Sequence, residues 1–313
     1  MNFEVLLFYQ YCHIADPTLV SLWQQSLAKR LGLLGRILIA DEGINGTLSG
    51  THEACKKYIQ ETKQYTPFCQ MNFKKSRSSF IPFESIHVKI KNEIVVLRED
   101  KNKIPFSNSA EKLCPKSFHN FLEKKYSNRE NNIIIFDTRN AYESRIGRFS
   151  QAICPQIQNS RQFRQYFQEN STIFDNKVVL MYCTGGVRCE RISALLADCT
   201  KPQKIYHLEN GIHAYCEEFS DGYFHGRNYV FDDRVSVKIT DDILTQCDIC
   251  KAPCDLYNNC LNAICNKQYI ACDRCLKEWN SCCSQKCVNL TKINAVPKRP
   301  HIKSRSLHTE NMQ

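Results

Sequence analysis

Cys183 and Cys189 flank Thr184, Gly185, Gly186, Val187 and Arg188, so two thiols and a guanidinium fall within seven residues. An apolar, β-rich run from Val178 to Tyr182 stops at Cys183, and a helical pattern follows from Cys189 with Ile192, Leu195 and Leu196 on one side. A strand that delivers a cysteine into a loop opening a helix aims backbone N–H groups at the sulfur. A helix N-terminus carries roughly half a positive charge and favours a thiolate or a persulfide anion. Arg188 adds a full positive charge, and the two glycines let the backbone curl without Cβ clashes. The plain alternative is a buried strand-end cysteine, since cysteine is among the most buried residue types.

A second concentration of sulfur lies near the C-terminus. Of nineteen cysteines, ten lie between Cys247 and Cys287. Two CxxC pairs, Cys247/Cys250 and Cys272/Cys275, are separated by 21 residues, and Cys282 and Cys287 follow as further candidate ligands. Such thiolate pairs commonly hold tetrahedral Zn²⁺, and the ion stabilises a segment too short to fold on its own apolar core. The expected role is a folding staple without catalysis. One zinc, two zincs, an Fe–S cluster and disulfides all remain open as ways of dividing the ten sulfurs; in a cytosolic chain, metal is favoured over disulfides.

The elements that must position these groups fall into successive units. A chain of 313 residues suggests two or three domains. Its 42% apolar and 24% charged residues are those of a globular protein, and no apolar run reaches the roughly 18 residues of a membrane span. The N-terminus carries Glu4 and lacks a basic region, so it reads as a first strand rather than a signal peptide, and the cytoplasm is expected. A net charge of +10 suits a polyanion such as RNA, or simple solubility.

Residues 1–92 read as β-α-β-β-α-β, the order of a ferredoxin-like (acylphosphatase-like) α+β sandwich. Asp16-Pro17 opens its first helix, with Leu19, Leu22, Trp23 and Leu27 predicted on the apolar face. Glu42 to Gly46 is predicted as a turn, with Asn45 a candidate binding residue. Residues 93–112 lack periodicity and suggest a linker across a surface. Residues 113–222 alternate helix and strand, which predicts an α/β parallel sheet with helices on both faces and its site beyond the carboxyl ends of strands; Cys183 and Asp137 occupy such ends. Residues 223–292 form a Cys-rich module entered through Phe231-Asp232-Asp233-Arg234-Val235, and residues 293–313 form a basic tail expected to be disordered.

The C-x-x-G-x-R spacing of Cys183 to Arg188 resembles the six-residue active loop of rhodanese-type sulfurtransferases. Asp137, Arg139, Glu143 and Gly147 resemble the same domain's D-x-R-x-x-x-E…G signature, whose role there is largely structural. Arg148 departs from it, since a His often follows that Gly. Taken together, GINGTLSG (Gly43 to Gly50), DTRNAYES (Asp137 to Ser144), MYCTGGVRCE (Met181 to Glu190), VFDDRVSV (Val230 to Val237) and the cysteine-rich end resemble the TrhO (YceA-like) family of oxygen-dependent tRNA uridine hydroxylases, over nearly the whole chain to about residue 290. The resemblance implies conversion of the wobble uridine of tRNA to 5-hydroxyuridine with dioxygen as co-substrate. It implies a catalytic Cys183, acting with Arg188 or through a persulfide, and Cys189 as a resolving thiol. The tRNA anticodon region is the implied partner, beside an electron donor that the sequence does not identify. No flavin or NAD fingerprint is present. Two alternatives stand beside this one: a thiosulfate-type sulfurtransferase using a Cys183 persulfide, and a zinc-stabilised RNA-binding scaffold with an inert loop.

Overall fold

A computed structural model describes residues 3–99, 110–127 and 130–299. The first unit contains β1 (Phe3–Tyr11), α1 (Pro17–Arg30), β2 (Leu34–Ala40), β3 (Gly43–Thr51), α2 (His52–Thr62), β4 (Asn72–Ser78) and β5 (Ile86–Ile90). The sheet order is β4-β1-β3-β2-β5. β3 runs antiparallel between β1 and β2, which is the split β-α-β arrangement expected, and β5 adds a fifth strand parallel to β2. Alternation along β1 gives the sheet two occupied faces. Leu6 and Phe8 join the core under the helices, with Leu27, Ile37 and Tyr58. Leu7 and Tyr9 point the other way, toward the second domain.

Two local expectations need correction. Asp16 does cap α1, accepting N–H groups from Thr18 and Leu19 at 2.9 Å. The buried face, however, is Val20, Gln24, Leu27 and Ala28, while Leu19 and Leu22 are 64% and 61% exposed. A buried glutamine hid the true stripe, because Gln24 accepts the Tyr58 hydroxyl inside the core. The turn is Asp41-Glu42 alone, since Ala40 already pairs with Gly43 and strand β3 runs through Gly46. A Cβ at Gly43 would lie 2.1 Å from the Gln10 carbonyl oxygen, so the strands approach there as only glycine permits.

The predicted linker is more deeply fixed than its sequence suggests. Ile94 packs with Tyr11 and Ala40, and Val95 and Leu97 enter the core of the second domain. Residues 100–109 lie outside the described residues.

The second unit contains β6 (Glu111–Leu113), α3 (Pro115–Ser127), β7 (Ile133–Asp137), α4 (Ala141–Ile146), β8 (Gly147–Phe149), α5 (Phe163–Glu169), α6 (Ser171–Phe174), β9 (Val178–Tyr182), α7 (Val187–Cys199), β10 (Lys204–Leu208) and α8 (Gly211–Glu218). The parallel sheet runs β6-β10-β9-β7. Val179 and Met181 face one core with Phe163, Phe167 and Leu195, whereas Leu180 and Tyr182 face the other with Phe118 and Ile212. Covering helices on both faces explain why β7 and β9 read as unbroken apolar runs.

The chain continues through β11 (Phe224–Tyr229), β12 (Ser236–Lys238), β13 (Tyr257–Asn259), β14 (Gln268–Ile270), α9 (Asp273–Glu278) and α10 (Gln285–Lys292). β11 pairs with both β8 and β12, which ties the Cys-rich module to the second unit. Part of the predicted tail is held: the Ala263 N–H donates to the Pro297 carbonyl at 3.0 Å, and the Arg299 N–H to that of Leu261 at 2.7 Å. Residues 300–313 lie outside the described residues.

Candidate active site at the Cys183 loop

β9 is a central strand, buried from Val179 to Tyr182, so it can deliver Cys183 only to the carboxyl edge of the sheet. The chain then turns through Gly186, at φ +98°, and α7 begins at Val187. This curl brings the Gly186 N–H onto the Cys183 sulfur at 3.0 Å. The start of α8 holds the loop from the other side: the Ile212 N–H donates to the Cys183 carbonyl at 2.9 Å and the His213 N–H to that of Thr184 at 3.3 Å.

Gly211 permits that docking. Its φ is +68°, and a Cβ there would meet the Cys183 oxygen at 2.4 Å and the Gly185 nitrogen at 2.7 Å. Gly32 has nearly the same φ, +67°, but nothing within 4 Å. Gly32→Ala therefore measures the left-handed backbone cost alone, roughly 1–2 kcal/mol. Gly211→Ala is expected to lower the melting temperature further and to reduce the reactivity of Cys183. Equal melting shifts in the two variants would show that the loop yields freely.

Cys183 is fully buried and lines a cavity that opens to the surface. Burial pushes its thiol up, but a hydrogen bond from Cys189, the Arg188 charge and backbone N–H groups of Arg188 and Gly185 outweigh this and hold it well below the ordinary thiol value. Cys189 moves the other way, through burial and the neighbouring Cys183, so it keeps its proton. The pair thus divides into a thiolate and a thiol. Thr138 hydroxyl oxygen lies 3.4 Å from the Cys189 sulfur and donates to the Tyr182 carbonyl, which fixes that side.

Arg188 reaches back to α4, where both of its terminal nitrogens bond the carboxylate of Glu143, one at 2.8 Å, and one also reaches Thr184. Glu143 is completely buried. Burial alone would lower the Arg188 pKa, but the Glu143 charge more than compensates and the guanidinium stays charged. Glu143 is therefore a positioning residue for Arg188 as well as the third-position partner in the capping box of α4, where it accepts the Asn140 N–H at 3.1 Å; the signature alone did not reveal this. Asp137 and Arg139 do tie loops: Arg139 forks onto Asp137 at 2.7 and 2.9 Å and donates to the Gly147 carbonyl at 2.6 Å. Arg148 donates to the Ser144 carbonyl at 3.2 Å, a loop contact.

The N-terminal sheet closes the site, which sequence reasoning missed. Lys74 donates to the Gly185 carbonyl at 2.8 Å, Tyr9 to Glu190 at 2.9 Å, and Tyr11 to the Val187 carbonyl at 3.3 Å. Burial lowers the Lys74 ammonium to about 8, against the opposing pull of Cys183 and Glu190. The alternation of β1 was the available signal, since Leu7 and Tyr9 needed a partner opposite the helices. Between the two domains lies a cavity of about 380 Å³, bounded by Leu7, Tyr9 and Asn45 on one side, Cys183 and Arg188 at its base, and Phe231 beyond. The Asp232–Arg234 pair is buried: Arg234 forks onto Asp232 and donates to Ser76 at 3.0 Å, tying the entry of the Cys-rich module to β4.

The cysteine-rich module gathers two sulfur groups. Cys247, Cys250, Cys272 and Cys275 form one, and Cys260, Cys265, Cys283 and Cys287 the other, with the sulfurs of each group within 4.8 Å of one another. Of the six expected ligands, Cys282 belongs to neither group; its sulfur faces Thr291 at 3.5 Å. Its neighbour Cys283 joins the second group instead. Cys260, Cys265 and Cys283 were not expected.

Three family descriptions match the chain in order: a UPF0176 acylphosphatase-like domain over residues 3–94, a rhodanese-like domain over 122–218 and a rhodanese C-terminal domain over 225–288. A protein of Chlamydia felis named tRNA uridine(34) hydroxylase is 35% identical over 301 residues, covering 94% of this chain and 90% of that protein. Its namesake in Corynebacterium urealyticum is 35% identical over 292 residues, covering 90% and 96%. One from Cytophaga hutchinsonii is 35% identical over 289 residues, covering 91% and 90%. With all three domains matched in order and relatives 35% identical over about nine-tenths of the chain, the chain belongs to the tRNA uridine(34) hydroxylase family.

Proposed function

We propose that this chain hydroxylates C5 of the wobble uridine, position 34, of tRNA with dioxygen as co-substrate. The observation that carries the proposal is a low-pKa Cys183 at the base of a cavity of about 380 Å³, within the roughly 300–1,000 Å³ typical of small-molecule sites. An anticodon-loop base is readily turned out of its stack and inserted there. Arg36, exposed where it lines the cavity, offers a cation to the RNA backbone.

In this reading the Cys183 thiolate adds to C6 of the ring, and the C5–C6 π electrons move onto O4. C5 is then nucleophilic and takes an electrophilic oxygen. Loss of the C5 proton and departure of the thiolate restore the double bond. One atom of O₂ ends on C5. The other leaves as water, with two protons and two electrons drawn from an electron donor. Arg188 holds the resting thiolate, and Cys189 keeps a proton beside it, placed to resolve an oxidised Cys183 sulfur as a disulfide with release of water. The cysteine-rich module serves as a metal-held folding staple. The three units divide near residues 92 and 222, and the reaction takes place in the cytoplasm; no helix among the described residues is long and apolar enough to cross a membrane.

Nucleoside mass spectrometry tests this directly. Expression in a host lacking 5-hydroxyuridine should restore that nucleoside at position 34, with one heavy oxygen when growth is under ¹⁸O₂. No product, or label drawn only from water, would refute the reading. The sulfurtransferase alternative instead requires rapid thiosulfate-to-cyanide sulfur transfer that depends on Cys183.

A further inference from the structure

We infer that the C-terminal module binds two zinc ions in two interleaved, all-cysteine sites. The ligands occur along the chain as four pairs: Cys247/Cys250, Cys260/Cys265, Cys272/Cys275 and Cys283/Cys287. Space groups the first pair with the third and the second with the fourth. Each site therefore closes across the pair that serves the other, a cross-brace in which neither half of the module can complete a site alone.

The geometry suits a single ion in each group. Four thiolates about 2.3 Å from zinc lie some 3.8 Å apart at the corners of a tetrahedron. Here Cys250 and Cys272 are 3.6 Å apart, as are Cys265 and Cys283, and no pair within a group exceeds 4.8 Å. A cluster of several irons would spread its thiolates further. All ten cysteines of the module are free thiols, so none is spent on a disulfide.

The surroundings already resemble an outer coordination shell. Backbone N–H groups of Ile249, Cys250 and Cys272 address the Cys247 sulfur, and those of Asn262 and Cys283 address Cys260. Asn262 Nδ2 donates to the Cys287 sulfur at 3.5 Å. The first pair closes with the Lys251 N–H on the Cys247 carbonyl at 3.0 Å and Lys251 at φ +64°, a left-handed turn that wraps the chain around the site. On binding, the eight thiols release their protons to solvent, and each site carries a net charge of −2.

The two sites are not equivalent. Asp248, inside the first pair, accepts Arg145 at 2.5 Å and the Ile270 N–H at 2.9 Å. Arg145 lies on α4, the helix that presents Glu143 to Arg188. The first ion thus fixes the element that positions the active-loop cation. The second site braces the segment that pairs Leu261 and Ala263 with residues 297–299.

Native mass spectrometry of the full chain, purified under reducing conditions and paired with elemental analysis, should count two zinc ions per chain. Refolding with cobalt(II) should saturate at two equivalents with the absorption of tetrahedral CoS₄. Cys250→Ser and Cys265→Ser should each bind one ion or none, whereas Cys254→Ser and Cys282→Ala should retain both. A wild-type count of one or zero, iron in place of zinc, a Cys265→Ser chain still holding two ions, or a count lowered by Cys282→Ala would each overturn the assignment. A further arm rests on the hydroxylase reading: where one ion remains, Cys250→Ser should lower tRNA hydroxylation more than Cys265→Ser. Equal activities would overturn only the inequivalence of the sites, since ion counting is independent of the reaction.

Discussion

Cys183→Ser is expected to eliminate 5-hydroxyuridine formation, by about a thousandfold or more, with little change in melting temperature. Removal of a covalent nucleophile typically costs several orders of magnitude, and each tenfold corresponds to about 1.36 kcal/mol of barrier. A serine hydroxyl does not ionise near neutral pH, so the Gly186 N–H and the Arg188 charge would have no anion to hold. The fold should tolerate the change because serine is smaller by little and can accept the same N–H. Reactivity with pH supplies an independent reading. Because the Cys183 thiol lies well below its ordinary value, alkylation by a small haloacetamide should rise less steeply between about pH 7 and 9 than that of an ordinary thiol with a pKa near 8.5. Arg188→Met should restore the steeper rise, since removing the cation lifts the thiol. Retention of more than a tenth of the activity in Cys183→Ser would remove the covalent step, and a steep wild-type profile would remove the thiolate.

The parts of this site that were legible in the sequence are the local ones. Strand, cysteine, double glycine and helix follow one another within about twenty residues from Val178, so their geometry is set by backbone rules that act at short range. The role of Glu143 was hidden because its partner is 45 residues away and the signature fits a purely structural task equally well. Lys74 and Tyr9 were hidden for a related reason: their contacts exist only once two domains dock. Ligand spacing already joined Cys247/Cys250 to Cys272/Cys275, but the second group was hidden because Cys260/Cys265 and Cys283/Cys287 lack the CxxC spacing and meet only in the fold. Leu19 and Leu22 were misplaced because a helix face was judged by apolarity, while the buried stripe contains a glutamine satisfied by Tyr58. In each case the missing information was the identity of a distant partner.

Glu143→Gln carries the second large effect, and it separates what Arg188 does for stability from what it does for the thiolate. The substitution keeps size and shape but leaves a buried guanidinium without its counter-charge. Breaking such a pair by removing one member typically costs about 3–5 kcal/mol, because the surviving charge remains desolvated. A clear fall in the melting temperature is therefore expected, together with a loss of hydroxylation of about tenfold or more as Arg188 loses its orientation. Removing both charges should be less damaging to the fold than removing one. In the double variant Glu143→Gln/Arg188→Gln, thermal stability should recover in part, whereas activity should stay low and the alkylation profile of Cys183 should steepen with pH. An unchanged melting temperature in Glu143→Gln would mean that the pair is solvated in practice. Recovery of activity along with stability in the double variant would assign Arg188 to packing alone, leaving the helix N-terminus and Cys189 to hold the anion.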